Sequence, residues 1–557
     1  PPDAVNEFTI RHLPEAKQVQ IRNSWLGNGY HLPCIMLALL VLVHSTQAEA
    51  CPASLLDRAE TDLHARINQS LFAAGRIQAA PGIMSPMEVL RDVQQIFLQA
   101  GVWQDAPWHR CCKAVEACDV QCLQYFTYFQ MSQDRSTLSC GPQWRGPGER
   151  GLLQSGLGSQ RAAGDSKRGL DHLLPPGLSK EQHMQNAHNL RSPFQPAVAV
   201  DDDVWFCAYA LSVFGPYIGE FRDKQRRAVH RLVKAFDPVW KWGKQHRAQS
   251  ACLVAAEKNP VAMAVYTSLM RWPDRDQPIR YIEGFPVGGD IARSGVFREI
   301  PQAEQVDLQS FLGQAAVEAI DELMRSGAPR EAQTVYDMTE AEKKKGFCRG
   351  PFTRKELDRR RGKGQWRFVP RFIVTQACGK KRLIDNAKGL VNKVTAMAET
   401  IYVNGIDTIP AMVAAVVTVV LRAEGIDPDT ATLQQAIEAL PEWLQFAMAL
   451  DDLPDACRGC PVLPEHAGLT AVAVWIPDLG QWRFYEYDGL LFGFLSAVVS
   501  FNRLPTLTVA AARRFFAIVT SAYFDDVATK DIMSTAVSAQ DAVCHLLELI
   551  GSPPAPQ

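Results

Sequence analysis

The chain reads as an α+β fold on three observations. Two apolar runs lead into paired acids, Ala447-Met448-Ala449-Leu450 into Asp451-Asp452 and Ile518-Val519-Thr520-Ser521-Ala522-Tyr523-Phe524 into Asp525-Asp526. Both have the length and composition of short buried strands that deliver carboxylates at one end. Two further strand-like runs, 470–476 and 482–487, lie between them, followed by a Gly-bounded apolar segment, 493–516, long enough for a helix. Upstream, 203–270 and 307–324 place apolar residues every three to four positions, the spacing of amphipathic helices.

The N-terminal part differs in kind. It begins Pro1-Pro2, and Cys34 to Val43 form an apolar run followed by Ala48-Glu49-Ala50-Cys51. Ten apolar residues fall short of the roughly 20 that span a bilayer. They suit either the core of a secretory signal with cleavage after Ala50 or a buried helix. Cys51, Cys111, Cys112, Cys118, Cys122 and Cys140 fall within 51–140, beside the sequon Asn68-Gln69-Ser70. That is the composition of a small disulfide-linked secreted module. No paired second half follows Cys111-Cys112, Cys118 and Cys122, so the spacing is not a zinc ribbon. Segment 141–196 is rich in Gly, Ser, Arg and Pro and reads as linker. Its Gly146-Pro147-Gly148-Glu149-Arg150-Gly151 has no preceding strand and carries a Pro, which excludes a dinucleotide site.

From 203 to 270 the helical pattern is laced with basic residues and ends at Trp240 and Trp242, beside Lys241 and Lys244. Aromatics among cations can stack bases, although Trp at helical spacing is more often core. Segment 281–297 is Gly-rich and loop-like. Thr339-Glu340-Ala341-Glu342 then Lys343-Lys344-Lys345 sets acids first and cations last, as a helix dipole favours. Segment 368–375 is strand-like, 412–421 is an apolar run too short for a membrane, and 537–550 is a helix.

A chain of 557 residues, 47% hydrophobic and 21% charged, has room for two to four globular domains. The boundaries expected are 1–50 for the signal-like extension, 51–140 Cys-rich, 141–196 linker, 197–335 helical and basic, and 336–557 for the strand-bearing unit. The net charge of -2 hides segregation: 343–393 holds 17 Lys and Arg against 3 acids, and 222–247 holds 9 against 2. Basic blocks of this kind either grip phosphates or form solvated helix faces. No His-Glu-x-x-His, phosphate loop or Ser-nucleophile elbow occurs.

Acids that terminate apolar strands are costly to bury unless a positive charge meets them. A divalent metal is the usual partner, and carboxylates from neighbouring strands are the minimum needed to hold two Mg²⁺ ions about 3.5–4 Å apart. Such a pair clamps the attacking and leaving oxygens of a phosphoryl displacement. The plainer alternative is that Asp525-Asp526 is a hairpin turn.

The order of elements carries a resemblance. Asp452-Leu453-Pro454-Asp455-Ala456, then Trp482-Arg483-Phe484 with Gly489-Leu490-Leu491-Phe492-Gly493, then Phe501-Asn502-Arg503, then Tyr523-Phe524-Asp525-Asp526 resembles the palm of retroelement reverse transcriptases, RNA-directed DNA polymerases. Lys380-Lys381-Arg382-Leu383-Ile384-Asp385 and Asn392 look like that family's fingers. The resemblance covers 336–550. It implies an antiparallel palm sheet with helices on one face, plus fingers, with no room for a thumb or RNase H before the chain ends.

By position, the resemblance implies Asp452, Asp525 and Asp526 as catalytic and metal-binding acids, with the Leu453 carbonyl a further ligand, and two Mg²⁺ ions as cofactors. Lys380, Lys381 and Arg382, the amides of Asp455 and Ala456, and Cys457, Phe492 and Gly493 would hold the nucleotide. Tyr523 and Phe524 would lie under the primer end. The implied partners are an RNA or DNA template-primer and deoxynucleoside triphosphates, in the cytoplasm or nucleus, with no integral membrane span.

Three positions depart from the family pattern. Cys457 stands where an aromatic residue usually blocks the sugar 2′-hydroxyl, so room for ribonucleotides is expected. Leu491 replaces a usual Pro, and Pro454 a commoner polar residue. Cys457-Arg458-Gly459-Cys460 is formally a redox or zinc motif, but the polymerase-like register accounts for its place. Two other expectations stand beside the enzyme: a silent, truncated relic that binds nucleic acid, and a chimeric product carrying a secreted Cys-rich module.

Overall fold

The computed structural model describes residues 85–118, 200–301, 307–377, 379–401 and 408–555. The signal-like run, Asn68, Cys51, Cys122, Cys140 and the 141–196 linker lie outside the described residues. The principal helices are α1 Pro86–Gln99, α2 Asp202–Phe214, α3 Ile218–Ala235, α4 Pro260–Met270, α5 Gln314–Arg325, α6 Ala332–Lys344, α7 Arg354–Arg361, α8 Thr408–Ala423, α9 Leu495–Phe516 and α10 Ala536–Leu549. The strands of the two larger sheets are β1 Cys348–Phe352, β2 Phe368–Thr375, β3 Lys381–Asp385, β4 Phe446–Asp452, β5 Ala471–Ile476, β6 Gln481–Tyr487, β7 Val519–Tyr523 and β8 Asp526–Ile532. The chain is thus a mixture of helix and sheet, compatible with the α+β expectation.

Local chemistry explains several boundaries. Ser85 with Glu88 and Thr353 with Glu356 form capping boxes at the starts of α1 and α7. Helix α7 closes on Arg359, Arg360 and Arg361, cations against its negative end. The single helix expected over 307–324 is instead a short 3₁₀ turn, Leu308–Phe311, followed by α5. Gly313 breaks it with φ 68, a left-handed conformation that glycine adopts without a side-chain clash. Segment 281–297, read as loop, holds the end of a helix, Gln277–Glu283, and a strand, Gly289–Ile291, that pairs in parallel with Thr395–Met397.

The strands divide between two sheets. One has five strands in the order β1-β6-β5-β2-β3. The other has three antiparallel strands, β7-β8-β4, and carries both acidic strand ends. The runs 470–476 and 482–487 therefore form strands as expected, but they pair with β1 and β2 rather than with the acidic strands.

Helix α9 is the centre of the core, with nearly every residue buried against the three-stranded sheet and the upstream helices. It carries three buried arginines, each held by an acid from the helical region. Arg503 donates to Asp274 at 2.6 and 2.5 Å, Arg513 to Asp201 at 2.6 Å, and Arg514 to Asp203 at 3.0 Å. Arg222 of α3 pairs with Asp531 of β8 and also donates to the carbonyls of Phe516 and Ala517 at 3.0 and 3.3 Å. These contacts bind the 200–283 helices to the acidic sheet. Arg222 therefore serves the interior, and so does part of the 222–247 basic block.

Segment 85–118 also packs on the helical region. Trp103 stacks on Phe97 at 5.1 Å and meets Trp242 edge-on, and its indole donates to the His246 carbonyl at 2.7 Å. A Cβ at Gly243 would stand 2.3 Å from the Trp103 ring, so only glycine admits this approach. Cys111, Cys112 and Cys118 are free thiols. Trp240 is partly buried against the core, with Lys244 and Arg247 over its ring. No helix among the described residues is long and apolar enough to cross a membrane.

Candidate active site

Alternation along β4 sends its two terminal acids to opposite faces. Asp451 is buried beneath α10, where Gln540 donates to it at 3.1 Å and the Cys544 thiol at 3.7 Å. Asp452 faces out. In the ladder Asp452 stands opposite Asp526, and Asp526 stands opposite Tyr523 on its other side. Directly opposed residues in an antiparallel pair have Cα atoms about 4.5–5.5 Å apart. The Leu453 amide donates to the Asp525 carbonyl at 2.8 Å, which locks the β7–β8 turn against the end of β4. Asp452 thus shares one rim with the adjacent acids Asp525 and Asp526, remote from it in sequence.

Electrostatics records that proximity. The Asp526 carboxyl is pushed above its ordinary value, first by burial and then by the negative charges of Asp525 and Asp452. Among the described residues no Lys, Arg or His pairs with any of the three. Three carboxylates crowded without a counter-charge offer the hard oxygen donors that Mg²⁺ takes. Among the described residues, no group of three or more His, Cys, Asp or Glu side chains is drawn tightly enough to hold a metal by itself. Mg²⁺ in general keeps several of its waters and takes one or two carboxylates together with substrate phosphates.

The turn that joins β7 to β8 is strained. Phe524 has φ 54, a left-handed conformation that bulky residues rarely adopt, and its ring meets Tyr523 edge-on at 5.2 Å. Strain of this kind costs roughly 1–3 kcal/mol and persists only where the surroundings impose it. Tyr523 is 52% exposed. Phe524 and Asp525 therefore form the hairpin turn and Asp526 opens β8, and the fold brings that turn to Asp452.

A second irregular turn follows β4. Asp455 and Ala456 have φ 61 and 29, and the 3₁₀ turn Ala456–Gly459 follows. Lys345, at the end of α6, pairs with Asp455 at 2.9 Å on the surface. Cys457 is only 5% exposed and its thiol donates to the Ala497 carbonyl at 3.6 Å. Phe492 and Gly493 come alongside from the loop before α9. A Cβ at Gly493 would stand 1.9 Å from the Asp385 carbonyl, so β3 can approach only because that position is glycine. Asn392 holds the same loop, donating to the Gly493 carbonyl at 2.8 Å and accepting from the Leu495 amide at 3.0 Å.

Lys380, Lys381 and Arg382 stand apart from this cluster. They are exposed at the tip of the β2–β3 hairpin, and Lys381 pairs with Glu331 at 3.0 Å. Asp385, at the other end of β3, is the residue that reaches the site. Four residues of strand, about 13 Å, separate it from Lys381.

A buried ionic cluster joins these parts, and sequence reading did not find it. Arg371 of β2 donates to Asp385 at 2.6 Å and to the Tyr487 hydroxyl at 2.6 Å. Arg458 donates to Asp385 at 2.8 Å and to Glu342 of α6 at 3.0 Å. Tyr487 in turn donates to Glu342 at 2.5 Å. Burial alone would raise the Asp385 carboxyl, but Arg371 and Arg458 hold it below its ordinary value. Much of the 343–393 basic block is consumed in this way: Arg349 pairs with Asp488, Arg354 with Asp321, and Arg360 and Arg361 with the buried Glu486. No local pattern marks which arginines of a basic run turn inward, because their acid partners come from other helices, strands and loops.

No family model and no curated protein matches the chain. Among solved structures it is similar to the native protease-reverse transcriptase of prototype foamy virus, at 14% identity and TM-score 0.26, over 41% of this chain and 24% of that one. The CSH mutant of the same viral protein, selenomethionine-labelled, is similar at 16% identity and TM-score 0.26 with the same coverage. The chain thus spans about a quarter of those structures' length.

Proposed function

We propose that residues 336–557 are the fingers and palm of an RNA-directed DNA polymerase of a retroelement. The observation that carries this reading is the juxtaposition of Asp452, Asp525 and Asp526 on one uncompensated acidic rim. Asp452, Asp525 and Asp526, with the Leu453 carbonyl, would hold two Mg²⁺ ions, which when bound supply charge neutralisation at the phosphate and acidify the primer 3′-hydroxyl. The left-handed conformation at Phe524 sets the path of the turn that carries Asp525 to the start of β8. Exposed Tyr523 offers a surface for the primer end, and Phe492 a surface for a base. The Asp455-Ala456 turn, with Lys345 beside it, is the side on which a triphosphate would lie, and Lys380, Lys381 and Arg382 would reach it on closure of the hairpin. Catalysis would be positioning plus electrostatics.

The test is Mg²⁺-dependent extension of a primed RNA template with deoxynucleoside triphosphates. Asp525→Asn is expected to abolish it. A rate within about a factor of two of the parent would reject the assignment. The exposed β2–β3 hairpin, with Phe372 and Val374 outward beside Lys380 and Arg382, favours a second reading as a nucleic-acid-binding relic. That reading predicts salt-sensitive binding without any extension.

A further inference from the structure

Arg458 follows directly on the Asp455-Ala456-Cys457 turn, is 3% exposed, and is anchored at every donor edge. Its Nε donates to Glu342 at 3.0 Å, Nη1 to the Leu490 carbonyl at 3.2 Å, and Nη2 to Asp385 at 2.8 Å. These partners belong to α6, the loop before α9, and β3. The guanidinium carbon lies 4.5 Å from the centre of the Tyr487 ring and 5.3 Å from that of Phe492. Tyr487 is buried, whereas Phe492 is 51% exposed. A flat cation with its donors fixed has one orientation, and an aromatic ring in contact with it gains a restraint beyond the hydrogen bonds that Asn392 gives the loop. With half of its surface exposed, Phe492 has area left for a nucleobase, and an aromatic residue is a general stacking surface for bases.

We infer that Arg458 is a positioning residue, which sets the Phe492 ring as a stacking platform for the base of the incoming nucleotide and ties that platform to β3 and α6. The inference rests on the polymerase reading for its substrate. Arg458 touches no reacting atom and acts only through Phe492 and the turn that precedes it.

Arg458→Lys retains the charge that Asp385 and Glu342 require but loses the planar fork and the stack. In steady-state primer extension, R458K is expected to raise the KM for deoxynucleoside triphosphate about tenfold with kcat changed less than about threefold. Phe492→Leu, which leaves the ionic cluster intact, is expected to do the same, and the double variant to be no worse than the poorer single one. A parental KM in R458K, or losses that add in the double variant, overturns the inference while extension by the parent upholds the polymerase. If the parent extends nothing, equilibrium binding of the Mg²⁺-deoxynucleotide separates the two. Binding weakened equally by R458K and F492L upholds the platform and rejects the polymerase; no binding by the parent rejects both. If R458K melts well below the parent, Glu342→Gln, which loosens one anchor, is measured by the same criteria.

Discussion

Asp452 and Asp526 face each other across the β4–β8 ladder, each the strand residue nearest the β7–β8 turn. Like charges opposed on one face of a sheet destabilise it, and Asp525 at the turn adds a third. A divalent cation is expected to relieve this repulsion, so Mg²⁺ should raise the melting temperature of the parent. In an Asp452→Asn, Asp526→Asn variant the protein should melt higher than the parent without Mg²⁺ and gain little when it is added. A parent indifferent to Mg²⁺ would mean that the acids share no cation.

Cys457 underlies the turn where the nucleotide sugar is expected. Replacing it by Tyr should lower the use of ribonucleotides relative to deoxynucleotides, because the larger side chain fills the space beside the 2′-hydroxyl. The site is buried, so overpacking should also cost about 1–3 kcal/mol. Equal discrimination by parent and variant in a misincorporation assay would remove this role for Cys457.

His545 of α10 stacks on His230 of α3, with ring nitrogens 3.3 Å apart. Burial, then the neighbouring His230, Arg226 and Lys234, push its pKa down to about 4. An unfolded histidine takes up its proton near pH 6.5. Between those values the unfolded chain binds more protons, so stability is complete above about pH 6.5 and falls as pH drops toward 4. Melting temperature should therefore decline over that interval in the parent and decline less in His545→Gln. Identical slopes for the two proteins would show that the pair does not sense pH.

The Arg222–Asp531 pair joins α3 to the acidic sheet with both side chains 1% exposed. Removing one partner strands the other, so Arg222→Met should cost about 3–5 kcal/mol in a denaturant titration. Replacing both by apolar residues should cost less than either single change. A single variant as stable as the parent would show that the pair does not hold the helical region in place.

Local pattern determined much of this protein. Alternation in 446–452 already implies that Asp451 and Asp452 part to opposite faces, and the apolar period of 493–516 and 537–550 is enough to make helices that cover a sheet. The plainer reading of Asp525 as part of a hairpin turn holds, and the fold sets that turn beside Asp452. Gly313, by contrast, split a helix that periodicity ran together, because one left-handed residue outweighs a continuous apolar stripe. Only the tertiary structure decided which strands pair, sending 471–476 and 481–487 to the five-stranded sheet and β8 to β4. It also decided which arginines turn inward: Arg222 and Arg371 look in the sequence like any others of their basic runs, and nothing around Arg458 marks it as buried. The reason is physical. A side chain's period along the backbone is a local property, whereas the charge that makes its burial tolerable comes from elements far away in the chain, and no window of sequence contains both.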